Sequence, residues 1–144
     1  MKTCFLQVNQ NRALAAAVEL NRRLEGIDRY ICLITEPYRN KCRIVAKPVG
    51  SRVLVHKSTR PPRAAIYCKG NINLVLVESL CNEDCVVGLW SRGEEKIVVA
   101  SVYLDITKEV IPEWLGKICS YANKRGSPII IGACLLYTSD AADE

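Results

Sequence analysis

Histidine, phenylalanine and methionine each occur once in this chain of 144 residues, and aromatic residues make up only 6%. One histidine, His56, and no Cys-x-x-Cys pair leave no set of four closely spaced ligands, which excludes a zinc-finger type of module. No apolar run approaches the roughly 18–20 residues of a membrane-spanning helix. The segment Met1-Lys2-Thr3-Cys4-Phe5-Leu6-Gln7 lacks the apolar core of a secretory signal. A nuclear or cytoplasmic protein is expected, neither secreted nor in a membrane. The eight cysteines then read as thiols without disulfide partners, with Cys32 and Cys119 as small buried hydrophobes. The chain also has no internal repeat and no low-complexity linker.

What remains is the composition of a soluble domain, 49% hydrophobic and 24% charged, long enough for one core. The formal charge is +5. Nine of its 20 basic residues fall in two clusters, Arg39, Lys41, Arg43 and Lys47, then Arg52, Lys57, Arg60, Arg63 and Lys69. Such clusters are either solvated loops or a surface that tracks phosphates.

Local patterning predicts the elements. Thr3 to Val8 alternates as a strand, and Asn11 is placed to cap an alanine-rich helix from Ala13 to Leu24 that Gly26 ends. Tyr30 to Thr35 is an apolar strand, so a parallel β-α-β unit opens the chain. Pro37 to Gly50 reads as a basic loop. Strands follow at Ser51 to His56 and Arg63 to Tyr67, then an antiparallel meander of Asn73 to Ser79, Val86 to Trp90 and Lys96 to Tyr103. The apolar stripe Val110, Ile111, Trp114, Leu115, Ile118 predicts a helix, and Ile129 to Gly132 a short buried strand. Two helices among so many strands argue for a layered α/β (α+β) sandwich rather than a doubly wound sheet.

Polar residues stand where strands end. Asn9 follows the first, Glu36 the second, and Tyr103 closes the strand that starts near Ile97. Each alone has a plain structural reading, as a turn residue, a solvated loop end and a packed aromatic. Glu83-Asp84 and Glu94-Glu95 fall in turns and read as solvated pairs, and His56 reads as surface or structural.

Four segments in register change that reading. Leu6-Gln-Val-Asn9-Gln-Asn11-Arg12, Leu33-Ile-Thr-Glu36-Pro37-Tyr38, Ala100-Ser-Val-Tyr103 and Ile129-Ile-Ile-Gly-Ala133 resemble the endonuclease/exonuclease/phosphatase superfamily of exonuclease III, deoxyribonuclease I and the apurinic endonucleases. The likeness is strongest to the apurinic-endonuclease-like domain of insect-type non-LTR retrotransposons. Those elements carry an Asn-x-Asn-Arg start and residues like Thr35-Glu36-Pro37-Tyr38. The resemblance implies a four-layer α/β sandwich, of which residues 1–133 are the N-terminal part. It implies that Glu36 ligates Mg²⁺ or Mn²⁺ and that Asn9 orients the ligand or the phosphate. Tyr103 then stabilises an oxygen of the scissile phosphate, and Asn11 serves as a supporting or phosphate-binding residue. Arg39, Lys41, Arg60 and Arg63 are the candidate nucleic-acid contacts.

The resemblance implies an activity: metal-dependent nicking of double-stranded target DNA, with a downstream reverse transcriptase extending the new 3′ end along the element RNA. A repair endonuclease, deadenylase or phosphoinositide phosphatase of the same superfamily, or a non-catalytic nucleic-acid-binding remnant, are the alternatives.

The superfamily continues after its Ile-Ile-Ile-Gly-Ala-like strand with Asp-x-Asn, whereas this chain continues Cys134-Leu-Leu-Tyr-Thr-Ser-Asp-Ala-Ala-Asp-Glu144. That string resembles a translated sequencing adapter and is set aside from the fold. Without it the chain holds 20 basic against 12 acidic residues, a charge of +8. A fragment lacking the superfamily's later Asp-His pair is expected to be poorly folded and inactive.

Overall fold

The computed structural model describes residues 2–58, 60–105 and 111–135. In chain order the elements are β1 (Cys4–Asn9), α1 (Leu14–Leu24), β2 (Tyr30–Thr35), β3 (Arg39–Asn40), β4 (Arg43–Ile44), β5 (Arg52–Leu54), β6 (Ala64–Lys69) and β7 (Asn73–Leu76). A single 3₁₀ turn (Glu78–Leu80), β8 (Cys85–Arg92), β9 (Glu95–Leu104), α2 (Glu113–Arg125) and β10 (Ile129–Leu135) complete them. None of the described helices is long and apolar enough to cross a membrane.

The strands form two four-stranded sheets, ordered β1-β2-β6-β5 and β10-β9-β8-β7, and β3 pairs with β4 in a small hairpin. β1 lies parallel to β2, with Cys4 opposite Tyr30 and Asn9 opposite Thr35. This is the β-α-β unit that the sequence predicts, and the meander β7-β8-β9 is antiparallel as expected. The last strand, β10, returns parallel to β9.

Burial explains why the apolar runs are continuous. All six residues of β2 are buried, because the strand is covered on both faces. Ile31 and Leu33 face the second sheet and pack with Leu74, Val86, Trp90 and Val99. Tyr30, Cys32 and Ile34 face outward under Leu20 and Leu24 of α1. On the far side, Val87, Val98, Ala100 and Val102 pack under Ile118 and Ala122 of α2. The layers are therefore α1, first sheet, second sheet, α2, which is the four-layer sandwich expected. Each of these fully buried aliphatic side chains stabilises the fold by about 1.5–3 kcal/mol relative to exposure. A buried polar bond joins the two sheets at their centre. The Ser101 hydroxyl of β9 donates to the carbonyl of Ile34 at 2.7 Å, both within the buried centre.

Several expectations about local structure are corrected. Asn11 does not cap α1. The cap position is Ala13, without a side-chain hydrogen bond, and the Asn11 N–H donates to Asn9 Oδ1 at 2.8 Å. The strand read from Ser51 to His56 pairs only over Arg52–Leu54, since β6 offers it only Cys68, Tyr67 and Ile66 as partners. The basic loop contains the β3–β4 hairpin. α2 starts at Glu113 behind Pro112, and Ile111 is exposed; Val110 lies outside the described residues. Cys119 is exposed, whereas Cys32 is buried as expected.

β10 runs to Leu135, with Cys134 opposite Tyr103 and Leu135 opposite Leu104. A ladder uses main-chain groups and extends past Ala133 whatever side chains follow. The remaining residues of the adapter-like string, 136–144, lie outside the described residues.

Candidate active site

Glu36 is the first residue beyond β2, and its backbone is unusual. It is a non-glycine residue at φ 47°, in the left-handed region that costs an L-residue free energy. Neighbours on both sides hold it there. Its N–H donates to the carbonyl of Arg63 at 2.9 Å, and its carbonyl accepts from the N–H of Arg12 at 2.9 Å. The side chain is 4% exposed, and Oε2 is buried with no hydrogen-bond partner among the described residues. A buried carboxylate oxygen without a donor is costly unless positive charge compensates it.

The main-chain bonds continue from Glu36 across both sheets. Arg63 N–H donates to the Glu83 carbonyl at 2.7 Å, and Tyr103 N–H to the Asp84 carbonyl at 2.8 Å. A belt of backbone bonds thus ties Arg12 and Glu36 of the first sheet's end to Tyr103 of the second. Gln10, 1% exposed, supports it from behind: its N–H donates to the Thr35 carbonyl, and its Oε1 accepts from Tyr38 N–H at 3.0 Å.

Side chains reinforce the same end. The Arg63 guanidinium forms a bidentate pair with Asp84, at 2.5 and 2.8 Å, and lies over the Tyr103 ring, 4.9 Å from its centroid. Burial pulls the Arg63 guanidinium down, but the bond and charge of Asp84 outweigh it and hold Arg63 above its usual range. Burial, followed by the negative charge of Glu36, raises the Tyr103 hydroxyl above its ordinary value; Arg63 and Arg12 oppose this. Tyr103 is therefore protonated at neutral pH and available as a donor. The charge of Glu36 acts on the Tyr103 hydroxyl, so the structure brings these two expected residues towards one end of the sheets. Asn9 ends β1 opposite Thr35, next to Glu36, with its Oδ1 taken by the Asn11 turn. The amide N–H₂ is then the donating end of Asn9.

The expected nucleic-acid contacts divide. Arg63 is at the site, but its charge is engaged by Asp84. Arg60 pairs with Glu83 at 3.1 Å. Arg39 donates to the Lys41 carbonyl at 2.7 Å, on the hairpin rather than in the cluster. The reading of Glu83 and Asp84 as solvated is overturned, because both are about three-quarters covered and paired with arginines. Sequence reasoning also misses Gln10, whose burial carries no local signal.

A divalent ion of the Mg²⁺ kind needs one or two carboxylates and completes its shell with water at about 2.0–2.1 Å. Among the described residues no group of three or more His, Cys, Asp or Glu converges. Glu36, with its buried unbonded Oε2, fits as a single carboxylate ligand.

Burial elsewhere in the sheets raises other neutral acids. Burial pushes the Cys32 and Cys85 thiols up to about 12 from 9.0, and it also raises Cys68, Cys81, Tyr30 and Tyr67. A raised folded value means that the unfolded chain releases its proton first. This stabilisation is complete below the unfolded value and is lost as pH climbs from about 9 towards 12. The thermal midpoint is therefore expected to hold steady up to pH 8 and to fall steadily between pH 9 and 11. A midpoint that stays level to pH 11 would contradict this account of the buried thiols.

No family model matches the chain, and neither does any curated protein. Among solved structures it is similar to the endonuclease domain of TRAS1, a telomere-specific non-LTR retrotransposon, with a TM-score of 0.69 and 22% identity. The match covers 90% of this chain and 57% of that one, so the chain spans little more than half the length of the solved domain. At that identity the likeness is one of fold. The chain has the fold of a retrotransposon endonuclease domain, as the resemblance in its own residues implied.

Proposed function

We propose that this chain is the N-terminal part of a divalent-metal-dependent endonuclease domain from a non-LTR retrotransposon polyprotein. The intact domain would hydrolyse one phosphodiester of double-stranded target DNA. The new 3′ end would prime reverse transcription of the element RNA by domains downstream, in the nucleus or cytoplasm. One observation carries the reading: Glu36, buried and held in a strained backbone, keeps Oε2 unbonded among the described residues, and its charge acts on the Tyr103 hydroxyl. The solved endonuclease domain of the same fold supports it.

Glu36 would hold Mg²⁺ or Mn²⁺, which supplies positive charge against the scissile phosphate and its leaving oxygen. Tyr103 donates its hydroxyl proton in a hydrogen bond to a phosphate oxygen and stabilises charge that develops there. The Asn9 amide N–H₂ orients the phosphate from the first sheet. Arg63 holds the Tyr103 ring from above while Asp84 fixes the guanidinium, so the donor stays in place through the reaction.

Hydrolysis also needs a base for the attacking water, and among the described residues no histidine is part of this cluster. The purified 144-residue chain is therefore expected to show no Mg²⁺-dependent nicking of supercoiled plasmid. The same chain, extended through the natural coding sequence beyond Ala133, is expected to nick it. Nicking by the short chain would show that these residues suffice; a folded extended domain that leaves the plasmid intact would sink the nuclease reading.

A further inference from the structure

A second concentration of positive charge lies outside the cluster around Glu36. A groove of about 430 Å³ opens between the β3–β4 hairpin and the chain leaving β5. Arg43, Lys47, His56 and Lys57 line it over an apolar floor that includes Ile44 and Val53, and no carboxylate among the described residues lines it. The four ion pairs among the described residues use Arg22, Arg23, Arg60 and Arg63, so Arg43, Lys47 and Lys57 take part in none of them. His56 Nδ1 is buried without a hydrogen-bond partner among the described residues. Three cations converging without a counter-charge repel one another, and an anion in the groove relieves that repulsion.

Topology sets this groove relative to Glu36. β5 and β2 are both antiparallel to β6, so they run in the same direction. Leu54 is opposite Ile66, which is opposite Leu33. The chain therefore leaves β5 at the sheet end where Glu36 leaves β2, two strand spacings or about 10 Å away. The hairpin itself grows from Glu36 through Pro37 and Tyr38. Phosphates along one DNA strand advance about 3.4 Å each along the axis, so about three span that distance.

We propose that this groove binds the sugar-phosphate backbone of duplex DNA a few nucleotides from the bond presented to Glu36. The placement rests on the endonuclease reading; the binding does not. Arg43, Lys47 and Lys57 neutralise successive phosphates, the His56 ring donates or accepts at the groove wall, and the apolar floor takes the sugar edge. This assigns DNA contact to cations other than Arg60 and Arg63, whose charge Glu83 and Asp84 already engage.

The test is direct binding of a fluorescent 20-base-pair duplex to the domain extended through the natural coding sequence, without Mg²⁺, read by anisotropy over a salt series. Arg43→Gln, Lys47→Gln and Lys57→Gln combined are expected to weaken binding at least tenfold at low salt. The slope of log affinity against log salt should become shallower by about 2–3, roughly 0.9 for each phosphate that is no longer neutralised. All three side chains are exposed, so the variant folds, which circular dichroism checks. A control removing equal charge elsewhere, Lys96→Gln, Lys117→Gln and Lys124→Gln, should leave the slope within one unit of the parent.

His56 is the only histidine of these 144 residues, and its ring resonance is the reporter. It should shift on adding duplex, and far less with inorganic phosphate at the same phosphate concentration. An unchanged slope in the groove variant, an equal loss in the control, or a silent His56 in the DNA complex would overturn the proposal. A shift matched by inorganic phosphate alone would also overturn it, leaving a small-anion site. Binding is read without Mg²⁺ and nicking in a separate assay with it, so failure of the nuclease reading and failure of the groove are separate results.

Discussion

Glu36→Ala in the extended domain is expected to lower the rate of DNA nicking at least a thousandfold, about 4 kcal/mol of transition-state stabilisation. Duplex binding should change little. The argument starts from burial. Glu36 is 4% exposed, its Oε2 has no donor among the described residues, and its backbone sits at φ 47°. A residue that served only structure would lose a buried, unsatisfied carboxylate on truncation, while alanine keeps the left-handed backbone, and the fold would become more stable. A residue that holds a metal loses the reaction. Measuring nicking and thermal midpoint together separates the two. Glu36→Gln keeps shape and removes charge, and it should be as inactive as the alanine variant. A stabilised variant that still nicks at the parental rate would end the catalytic assignment.

Gly70→Ala is expected to cost about 3 kcal/mol and lower the thermal midpoint by roughly 10 °C, without altering the site. Gly70 opens the turn after β6 at φ 95°, and a Cβ there would stand 2.6 Å from the carbonyl oxygen of Asp28. The obstacle is backbone, and it cannot step aside. Arg29 follows Asp28 and is anchored by Thr3 and Asn71, while its carbonyl accepts from Cys4 N–H. Left-handed backbone contributes about 1–2 kcal/mol of the cost, and the clash the rest. Gly26→Ala separates them. It has φ 82° and nothing within 4 Å of the added carbon, so it should cost only the conformational part. Equal losses at the two positions would mean that the clash with Asp28 is relieved. Gly70 lies at the sheet end opposite Glu36, so nicking by the extended variant below its midpoint should match the parent.

The parts legible in sequence are those governed by local rules. Alternation in β1, the alanine-rich face of α1 and the apolar run of β2 each signal their element without reference to distant residues. The place of Glu36 is legible for a related reason: a polar group closing an apolar strand stands at a sheet end. The roles expected of Glu36 and Tyr103 come instead from the resemblance of four segments in register. What sequence hides depends on partners far along the chain. Asp84 reads as solvated in its turn because its arginine is 21 positions away, and the same holds for Glu83 and Arg60 across 23. Asn9 and Asn11 are both residues that fold back on nearby backbone. Only the structure shows that Asn9 serves the turn and that neither caps α1. The positive φ of Glu36 has no sequence signal, since glycine is absent where the conformation would announce it. The basic clusters are visible, but their division into engaged and unengaged cations follows from the carboxylates around them.

The belt that joins Arg12, Glu36, Arg63, Glu83, Asp84 and Tyr103 is made of main-chain groups alone. A point substitution at any of these positions changes a side chain and leaves the N–H and C=O in place. Proline at a donating position is the exception, because it deletes the hydrogen. Heritable damage to such a gene would therefore remove chemistry before it removed the scaffold. Copies that have lost the Glu36 or Tyr103 side chain would still fold to the same end-to-end frame, and they would stay recognisable by shape long after those side chains had gone.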